Sequence, residues 1–531
     1  MKSLEHCDKP IFTLVNPPAF EGGDIKGRIS PDVYTKISIP PVGLASIAAV
    51  AREEGCEVDI VDTRFDNGDG NFSEAEWKLM LESHYVGIGA MLRNTTTSLR
   101  LIRELLKYNP DQIFPVGGFG PEFEPERWLS GEEGKNIIVV RGDGEETIKE
   151  LIRAKMNGEG IMGVSYKRKD GTIIHNPDRP LPTGEQLSNW PMPWYPPKIR
   201  DGRKTHAVNK KRGCTGRCGF CQVAARYKGN VIEKNDDRGI AEIKDGREGE
   251  NVFFCDDNFA PRSLRENVKR FLRRIISEGL IRDYSAQIDA SFAGDPELIK
   301  LSKKAGFIIL FQGKESINND ELKKIHKPNT AKQSMDSTEI LTGKGFFVFD
   351  NFISGLPGQT WESINKLKKY FRKDNKANAG MILLLTPLPG TEFGREKKLF
   401  PFVYEDTNVV NGNFQVTDPP EGFACCEQQN LPSELYPILY SKSHLFKTIL
   451  RDSKQIFSGI KGYKRALKLI ALDTFATQYA NETVKSMQKD SYTQSYIEKL
   501  KKVDEERTKE REREQAAGIA PTGTIFTASN S

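Results

Sequence analysis

From its amino end the chain alternates short apolar runs with stretches whose apolar residues recur every three or four positions. "IFTLVN" (11–16), "EVDIVD" (57–62), "YVGIGAML" (85–92), "QIFPVGG" (112–118) and "NIIVVRGDGEET" (136–147) begin with the length and content of buried strands. Between and after them, "GLASIAAVAREEGC" (43–56), "TTTSLRLIRELLKY" (95–108) and "EETIKELIRAK" (145–155) have helical spacing, the second with a threonine cap expected. Strands alternating with helices predict βαβ units and a doubly wound, parallel α/β sheet over residues 10–187. "VSYKRKDGTIIHN" (164–176) reads as a closing hairpin on an Asp-Gly turn.

A proline-rich stretch, "WPMPWYPPK" (190–198), predicts a linker over 188–203. A second strand–helix series follows, with strands expected in "HAVNKKRG", "NVFFCDDNF", "YSAQIDA", "GFIILFQGKES", "GFFVFDNFISG" and "GMILLLTPLPG". Six regular units over 204–400 predict a partial (β/α)6 barrel, in which chemistry sits at the carboxyl ends of the strands. Residues 401–513 are expected to be mostly helical, with "IEKLKKVDEERTKEREREQ" (497–515) a solvated charged helix. The tail 514–531 is expected to be disordered.

Composition narrows the class. No apolar run approaches the roughly 20 residues that span a bilayer, and the first residues lack a signal-peptide core. Eight cysteines in 531 residues are not a secreted disulfide framework, so a reducing, cytoplasmic setting is expected. A net charge of +5 over 78 basic and 73 acidic residues is too mild to imply nucleic acid.

Three cysteines stand together in "RGCTGRCGFCQ": Cys214, Cys218 and Cys221, spaced C-x3-C-x2-C just after the first barrel strand. A structural zinc site takes four ligands, and the nearby extra candidates, His206 and Cys255, lack knuckle spacing. A C-x-x-C dithiol made of Cys218 and Cys221 would leave Cys214 unexplained. An electron-carrying [4Fe–4S] cluster takes four thiolates, whereas three leave one iron open to a small molecule.

The loop, with Phe220 before its last cysteine, resembles the radical SAM superfamily, as do "FFCDDNFAP", "ILFQGKES", "NFISGLPGQT" and "LTPLPGTEF". The resemblance implies a [4Fe–4S] cluster on Cys214, Cys218 and Cys221, with S-adenosylmethionine (SAM) on the open iron. It also implies Phe220 against the adenine, with Asp256, Asp257, Glu315, Ser316 and Gly355 around SAM. Lys314 and Gln359 depart from the residues common in the family. Read without the family, Asp256 and Asp257 could cap the next helix, Gly355 and Gly358 could be turn glycines, and Lys314 could pair with a neighbouring acid.

In the first domain, glycines after strands four and five (Gly117, Gly118, Gly142, Gly144) would admit a bulky ligand at the switch point of the sheet. No G-x-G-x-x-G follows the first strand. "LVNPP", "PPVGLASIAAVAREEG", "EVDIVD", "VGIGAM", "VGGFGPE" and "VRGDGEET" together resemble the Rossmann-like cobalamin-binding domain that precedes many radical SAM domains. That resemblance implies cobalamin contacts at Asn16, Pro17, Gly43, Ala90, Leu92, Arg93, Gly117, Gly118, Gly142, Gly144 and Glu145. The D-x-H-x-x-G element is missing, so no protein imidazole is expected below the cobalt. A scaffold without a cofactor is the plain alternative.

Together the resemblances imply an anaerobic, cobalamin-dependent radical SAM methyltransferase acting on an unactivated carbon or phosphorus of a small molecule or peptide. Flavodoxin or ferredoxin would supply electrons. A ring cyclase or rearrangement enzyme is the alternative within enzymes, and a cobalamin or redox sensor the alternative outside them. A methylthiotransferase would carry three further cysteines in its first domain, where this chain has only Cys7 and Cys56. The adjacent Cys425 and Cys426 suit neither a metal site nor an easy disulfide.

Overall fold

The computed structural model describes residues 9–17, 39–62, 72–454, 459–489 and 491–516. Its first sheet holds β1 (Ile11–Val15), β2 (Glu57–Val61), β3 (Tyr85–Gly89), β4 (Phe114–Gly117), β5 (Ile137–Val140), β6 (Val164–Lys167) and β7 (Ile173–His175), in the order β2-β1-β3-β4-β5-β6-β7. The first five strands run parallel, and the expected hairpin adds β6 and β7 antiparallel to β5 at the edge. The strands alternate between two cores. Phe12 and Leu14 face the helices Val42–Glu53 and Glu145–Arg153, while Val15, Val86 and Ile88 pack on the opposite face. Strand order reverses between β1 and β3, which is where open α/β sheets keep their ligands.

The helix Thr95–Tyr108 has the predicted span, but its cap is Asn94. The Asn94 side chain accepts the Met91 amide at 2.8 Å, so the 3-10 turn before the helix, not a threonine, sets its start.

The stretch read as a linker is packed against the first domain. Tyr195 and Ile199 are buried in its core, the Trp194 amide donates to the Ala45 carbonyl at 3.0 Å, and the Trp190 indole donates to Glu146 at 2.6 Å. The second sheet has the order β15-β14-β13-β12-β11-β8, all parallel: β8 (Thr205–Val208), β11 (Asn251–Phe254), β12 (Tyr284–Ile288), β13 (Phe307–Glu315), β14 (Phe347–Ser354) and β15 (Ala379–Leu384). One cavity is lined from all six strands, so the sheet curves round on itself as a partial barrel. Short strands β9 (Lys211–Arg212) and β10 (Ile232–Glu233) pair beside it.

The helices Cys425–Leu439, Lys442–Ser453, Gly459–Lys489 and Ser491–Ala516 complete the chain. The first of these ends before Ser441, whose hydroxyl caps the next one on the His444 amide. The charged last helix is solvated on one side only. Tyr496, Leu500 and Val503 are buried, and Asp504 accepts the amides of Cys425 and Cys426 at 2.7 and 3.0 Å. The predicted tail beyond residue 516 lies outside the described residues. Among those, no helix is long and apolar enough to cross a membrane.

Candidate active site

The cysteine loop is built by backbone anchoring. Asp256 accepts the amides of Lys210 and Lys211 at 2.8 and 2.9 Å and pairs with the Lys211 ammonium at 2.9 Å, fixing β9 to the end of β11. Gly213 has φ +89°, and a Cβ there would meet the Asn230 carbonyl oxygen at 2.3 Å, so the turn into the loop requires glycine. Asp257 accepts the Gly213 amide at 2.9 Å. Further along, the Gly219 amide donates to the Ile325 carbonyl at 3.2 Å, and the Gly219 carbonyl accepts the Phe393 amide at 3.1 Å.

Gly216 brings the backbone close to two of the three sulfurs. The Gly216 amide donates to the Cys214 sulfur at 3.3 Å, and a Cβ on Gly216 would lie 3.4 Å from that sulfur and 3.8 Å from that of Cys218. Among the described residues, no three His, Cys, Asp or Glu side chains come together as ligands of a single metal ion. A mononuclear zinc centre is therefore the poorer fit, because an iron–sulfur cluster spreads its thiolates over several irons. Burial pushes all three thiols up, Cys218 to about 11, against backbone amides at Cys221 and, at Cys214 and Cys218, a nearby ammonium that favours the thiolate. That ammonium is Lys327, with a side chain 12% exposed and 2.8 Å from Glu315. Burial alone would lower Lys327, but Glu315 and Cys218 outweigh it and keep it charged. A thiolate set with a buried counter-cation fits a cluster.

Several residues implied for SAM converge here. Phe220 packs against Leu322, Ile325, Leu356, Leu385 and Phe393, where the carboxyl ends of β13, β14 and β15 meet. Glu315 takes a left-handed conformation at φ +61° at the end of β13. Gly355, at φ +91°, donates its amide to the Gln359 side chain at 2.7 Å, so Gln359 pins this turn. Asp257 stands beside the loop, its carboxyl pushed up to about 6, first by burial.

Two expectations are corrected. Asp256 is wholly buried and committed to the β8–β9 connection, so it does not present a carboxylate to SAM. Ser316 turns to Glu321 at 2.5 Å. Lys314, read without the family as a partner for a neighbouring acid, does make such a pair: it is buried against Asp350 at 2.6 Å and donates to the Tyr370 hydroxyl at 2.9 Å. The spare ligand candidates are elsewhere engaged: the His206 ring bonds the Glu242 carbonyl at 2.6 Å, and the Cys255 sulfur faces the Phe253 carbonyl.

At the switch point of the first sheet lies a cavity of about 400 Å³. Gly43, Gly117, Gly118, Gly142, Gly144 and Glu145 line it as expected. So do Gly87 and Gly89, which the sequence reading missed although glycines two apart in a strand share one face. A Cβ on Gly89 would sit 2.9 Å from Leu44, and one on Gly87 2.5 Å from Leu14, so the absent side chains leave an open slot between sheet and helix Val42–Glu53. A mostly apolar slot of this kind at a switch point fits the nucleotide tail of a corrinoid.

The other implied cobalamin contacts do not line this cavity. Asn16 donates to Asp62 at 3.0 Å, the Pro17 carbonyl accepts from Asn94 at 3.3 Å, and Ala90 is buried behind Gly118. Leu92 belongs to the apolar cluster with Phe400, Val403 and Tyr496, and Arg93 stands on the same turn. Leu92 thus docks the C-terminal region on the first domain. Glu145 reaches the cavity wall with its carboxylate already held by Arg212 at 2.5 Å.

Arg212, directly before the cysteine loop, joins the two sites. It pairs with Asp143 as well as Glu145, each at 2.5 Å, and Arg226 adds bonds to Glu122 at 2.8 Å and Asp143 at 3.0 Å. The Tyr227 hydroxyl donates to Asp143 at 3.2 Å. Asn209, Arg212 and Tyr227 of the second domain therefore form one wall of the glycine-lined cavity of the first.

The arrangement defines a two-domain α/β enzyme in which residues flanking the cysteine loop close one side of the glycine-lined slot. Residues 35–152 match the B12 binding domain and residues 208–371 the radical SAM superfamily. An uncharacterized methyltransferase of Pyrococcus horikoshii is 30% identical over 377 residues, covering 66% of this chain and 77% of the relative. The anaerobic magnesium-protoporphyrin IX monomethyl ester cyclase of Rubrivivax gelatinosus is 23% identical, over 70% of this chain and 69% of the relative. The cobalamin-dependent S-adenosylmethionine radical enzyme OxsB, solved with aqua-cobalamin and SAM, superposes with a TM-score of 0.63 at 15% identity, covering 94% of this chain and 84% of OxsB. The chain belongs to the cobalamin-dependent radical SAM family, whose cofactors are a [4Fe–4S] cluster, SAM and cobalamin.

Proposed function

We propose that this protein is a methyltransferase that moves a methyl group from SAM to an unactivated carbon or phosphorus of its substrate. When bound, the cluster supplies the electron for reductive cleavage of SAM, and the cobalamin supplies the methyl-carrying centre. Cys214, Cys218 and Cys221 hold the cluster, and Lys327 balances the thiolate charge. Phe220, Glu315 and the Gly355 turn bound the SAM side of the loop, with Asp257 beside Gly213. The glycine-lined slot between β3, β4 and the helix Val42–Glu53 takes the corrinoid tail. One observation carries this reading: Asn209, in the β8–β9 connection, and Arg212, on β9 directly before the cysteine loop, also line the slot, which brings the two proposed cofactor sites next to each other.

The outer side of the loop offers an approach for electrons. A cavity of about 390 Å³ beside Cys218 and Cys221 is bordered by the exposed Arg217, Lys228 and Arg395, which suits an acidic donor such as flavodoxin or ferredoxin in a reducing cytoplasm.

Anaerobic reconstitution with cobalamin and SAM labelled at the methyl group tests the proposal. Label on cobalamin supports methyl transfer. SAM cleavage with an unlabelled cobalamin supports a cyclase-type reaction, the second reading, which the similarity to the Rubrivivax cyclase favours. Absence of any reductive SAM cleavage would return the protein to the sensor class.

A further inference from the structure

All six strands of the second sheet send side chains into one lumen of about 640 Å³: Thr205, Phe253, Gln287, Phe311, Phe349 and Met381 from β8, β11, β12, β13, β14 and β15 in turn. Ala471 and Leu472 of the helix Gly459–Lys489 wall its lower part. The lining includes Thr205 and Asn251, the first residues of their strands, so the lumen reaches the barrel end opposite the cysteine loop. A closed eight-stranded barrel fills this space with its own side chains. Here Phe253, Phe311 and Phe349 point inward yet are only half-buried among the described residues. The Phe253 and Phe311 rings meet T-shaped and the Phe311 and Phe349 rings tilted, with centroids 5.9 and 5.4 Å apart, and form an aromatic wall on the lumen.

The polar inventory of the lumen is small. Its charged lining residues, Asp283 and Lys468, are paired with each other and leave no charge to recognise an ionic ligand. Neutral polar groups stand at both ends: Thr205, Asn251 and Ser285 toward the amino ends of the strands, and toward the cysteine end Asn351 and Gln287, whose amide already donates to the Asp256 carbonyl at 3.2 Å. At the rim Phe475 is 61% exposed, an apolar residue at the mouth of an apolar space.

We infer that the substrate is an elongated, largely hydrocarbon molecule, uncharged over the part that enters the lumen and carrying a hydrogen-bonding group near Asn351. Its chain runs down the barrel along the Phe253–Phe311–Phe349 wall, which leaves its polar end beneath the cysteine loop. This deepens the methyl-transfer reading, and only the position of the reacting carbon rests on it.

The test is displacement of Nile red, a neutral apolar fluorophore, from anaerobically reconstituted holoenzyme. The C15 alcohol farnesol should displace it, while L-tryptophan and glucose 6-phosphate should not. Leu472→Trp fills the lower lumen and should weaken farnesol binding about tenfold or more, a loss of about 1.4 kcal/mol. Ala471→Leu, a smaller filling of the same wall, should weaken it in the same direction. Thermal melts of both variants should stay at the wild-type level, so that the loss reads as lost binding rather than lost folding. Failure of farnesol to bind the wild type, equal binding by Leu472→Trp, or displacement by the polar ligands would overturn the inference. If cobalamin is never labelled but farnesol binds and Leu472→Trp abolishes binding, the methyl-transfer reading falls while the substrate class stands.

Discussion

Gly117→Val separates the role of the glycine-lined slot from the stability of the sheet around it. Gly117 ends β4 next to Gly89, and a Cβ there would have Val140 as its nearest neighbour, at 3.6 Å from the carbonyl oxygen and 3.8 Å from the side chain. Those are ordinary contacts, and replacing glycine inside a strand gains roughly 0.5–1 kcal/mol from backbone entropy alone. The variant should therefore melt no lower than the wild type. Its side chain, however, enters the cavity, and an occupant forced against extra methyl groups meets an overpacking cost of about 1–3 kcal/mol. That corresponds to a loss in cobalamin affinity of about 5- to 150-fold. Gly118→Ala is the contrast: φ is +102° and its Cβ would meet the Ala90 carbonyl oxygen at 2.4 Å, so it should lose stability. The assay is an anaerobic absorbance titration with hydroxocobalamin, paired with thermal melts of the unliganded proteins. Wild-type affinity in Gly117→Val, or a melting point several degrees lower, would refute the assignment of the slot.

Asp473→Asn should raise the melting temperature at pH 8 and lose that advantage toward pH 5. Asp473, 1% exposed and sharing the Asn378 amide with Asp452 beside Arg451, has its carboxyl pushed up to about 7, first by burial. Its stabilising contribution is thus complete below the unfolded pKa near 4 and is lost as pH rises toward 7. Arg217→Glu with Lys228→Glu should slow flavodoxin-driven SAM cleavage at low salt and leave dithionite-driven cleavage unchanged; equal slowing of both would place the donor elsewhere. Lys314→Met should cost about 3–5 kcal/mol by stranding the buried Asp350, seen as a lower urea midpoint, with SAM cleavage per folded molecule preserved.

Periodicity made the architecture legible. Every expected strand of both sheets is present, because fully buried parallel strands read as apolar runs with few competing patterns. The last helix was read as merely solvated because its buried stripe is sparse, with Tyr496, Leu500 and Val503 dispersed among charges. The site was legible where chemistry imposes a spacing, as in the cysteine loop, or an absence, as at Gly117 and Gly144. It was illegible where distant residues supply charge. Lys327 sits on a loop with no local motif, and Arg212 looked like a flank of the cysteine motif rather than a partner of Asp143 and Glu145. Leu92, which the family resemblance implies as a cobalamin contact, packs in a cluster with residues of the C-terminal region, a partnership that no local pattern announces.

The double tether of Gly219 has a temporal consequence. Its carbonyl is satisfied by Phe393, about 170 residues downstream, which at typical translation speeds emerges roughly 10–35 s after the last cysteine. During that interval the three thiols exist on a nascent chain without the cradle that orients them. Cluster insertion is accordingly a late event in the life of the polypeptide, after synthesis has passed the sixth barrel strand, and delivery systems must meet a nearly finished barrel rather than a bare peptide loop.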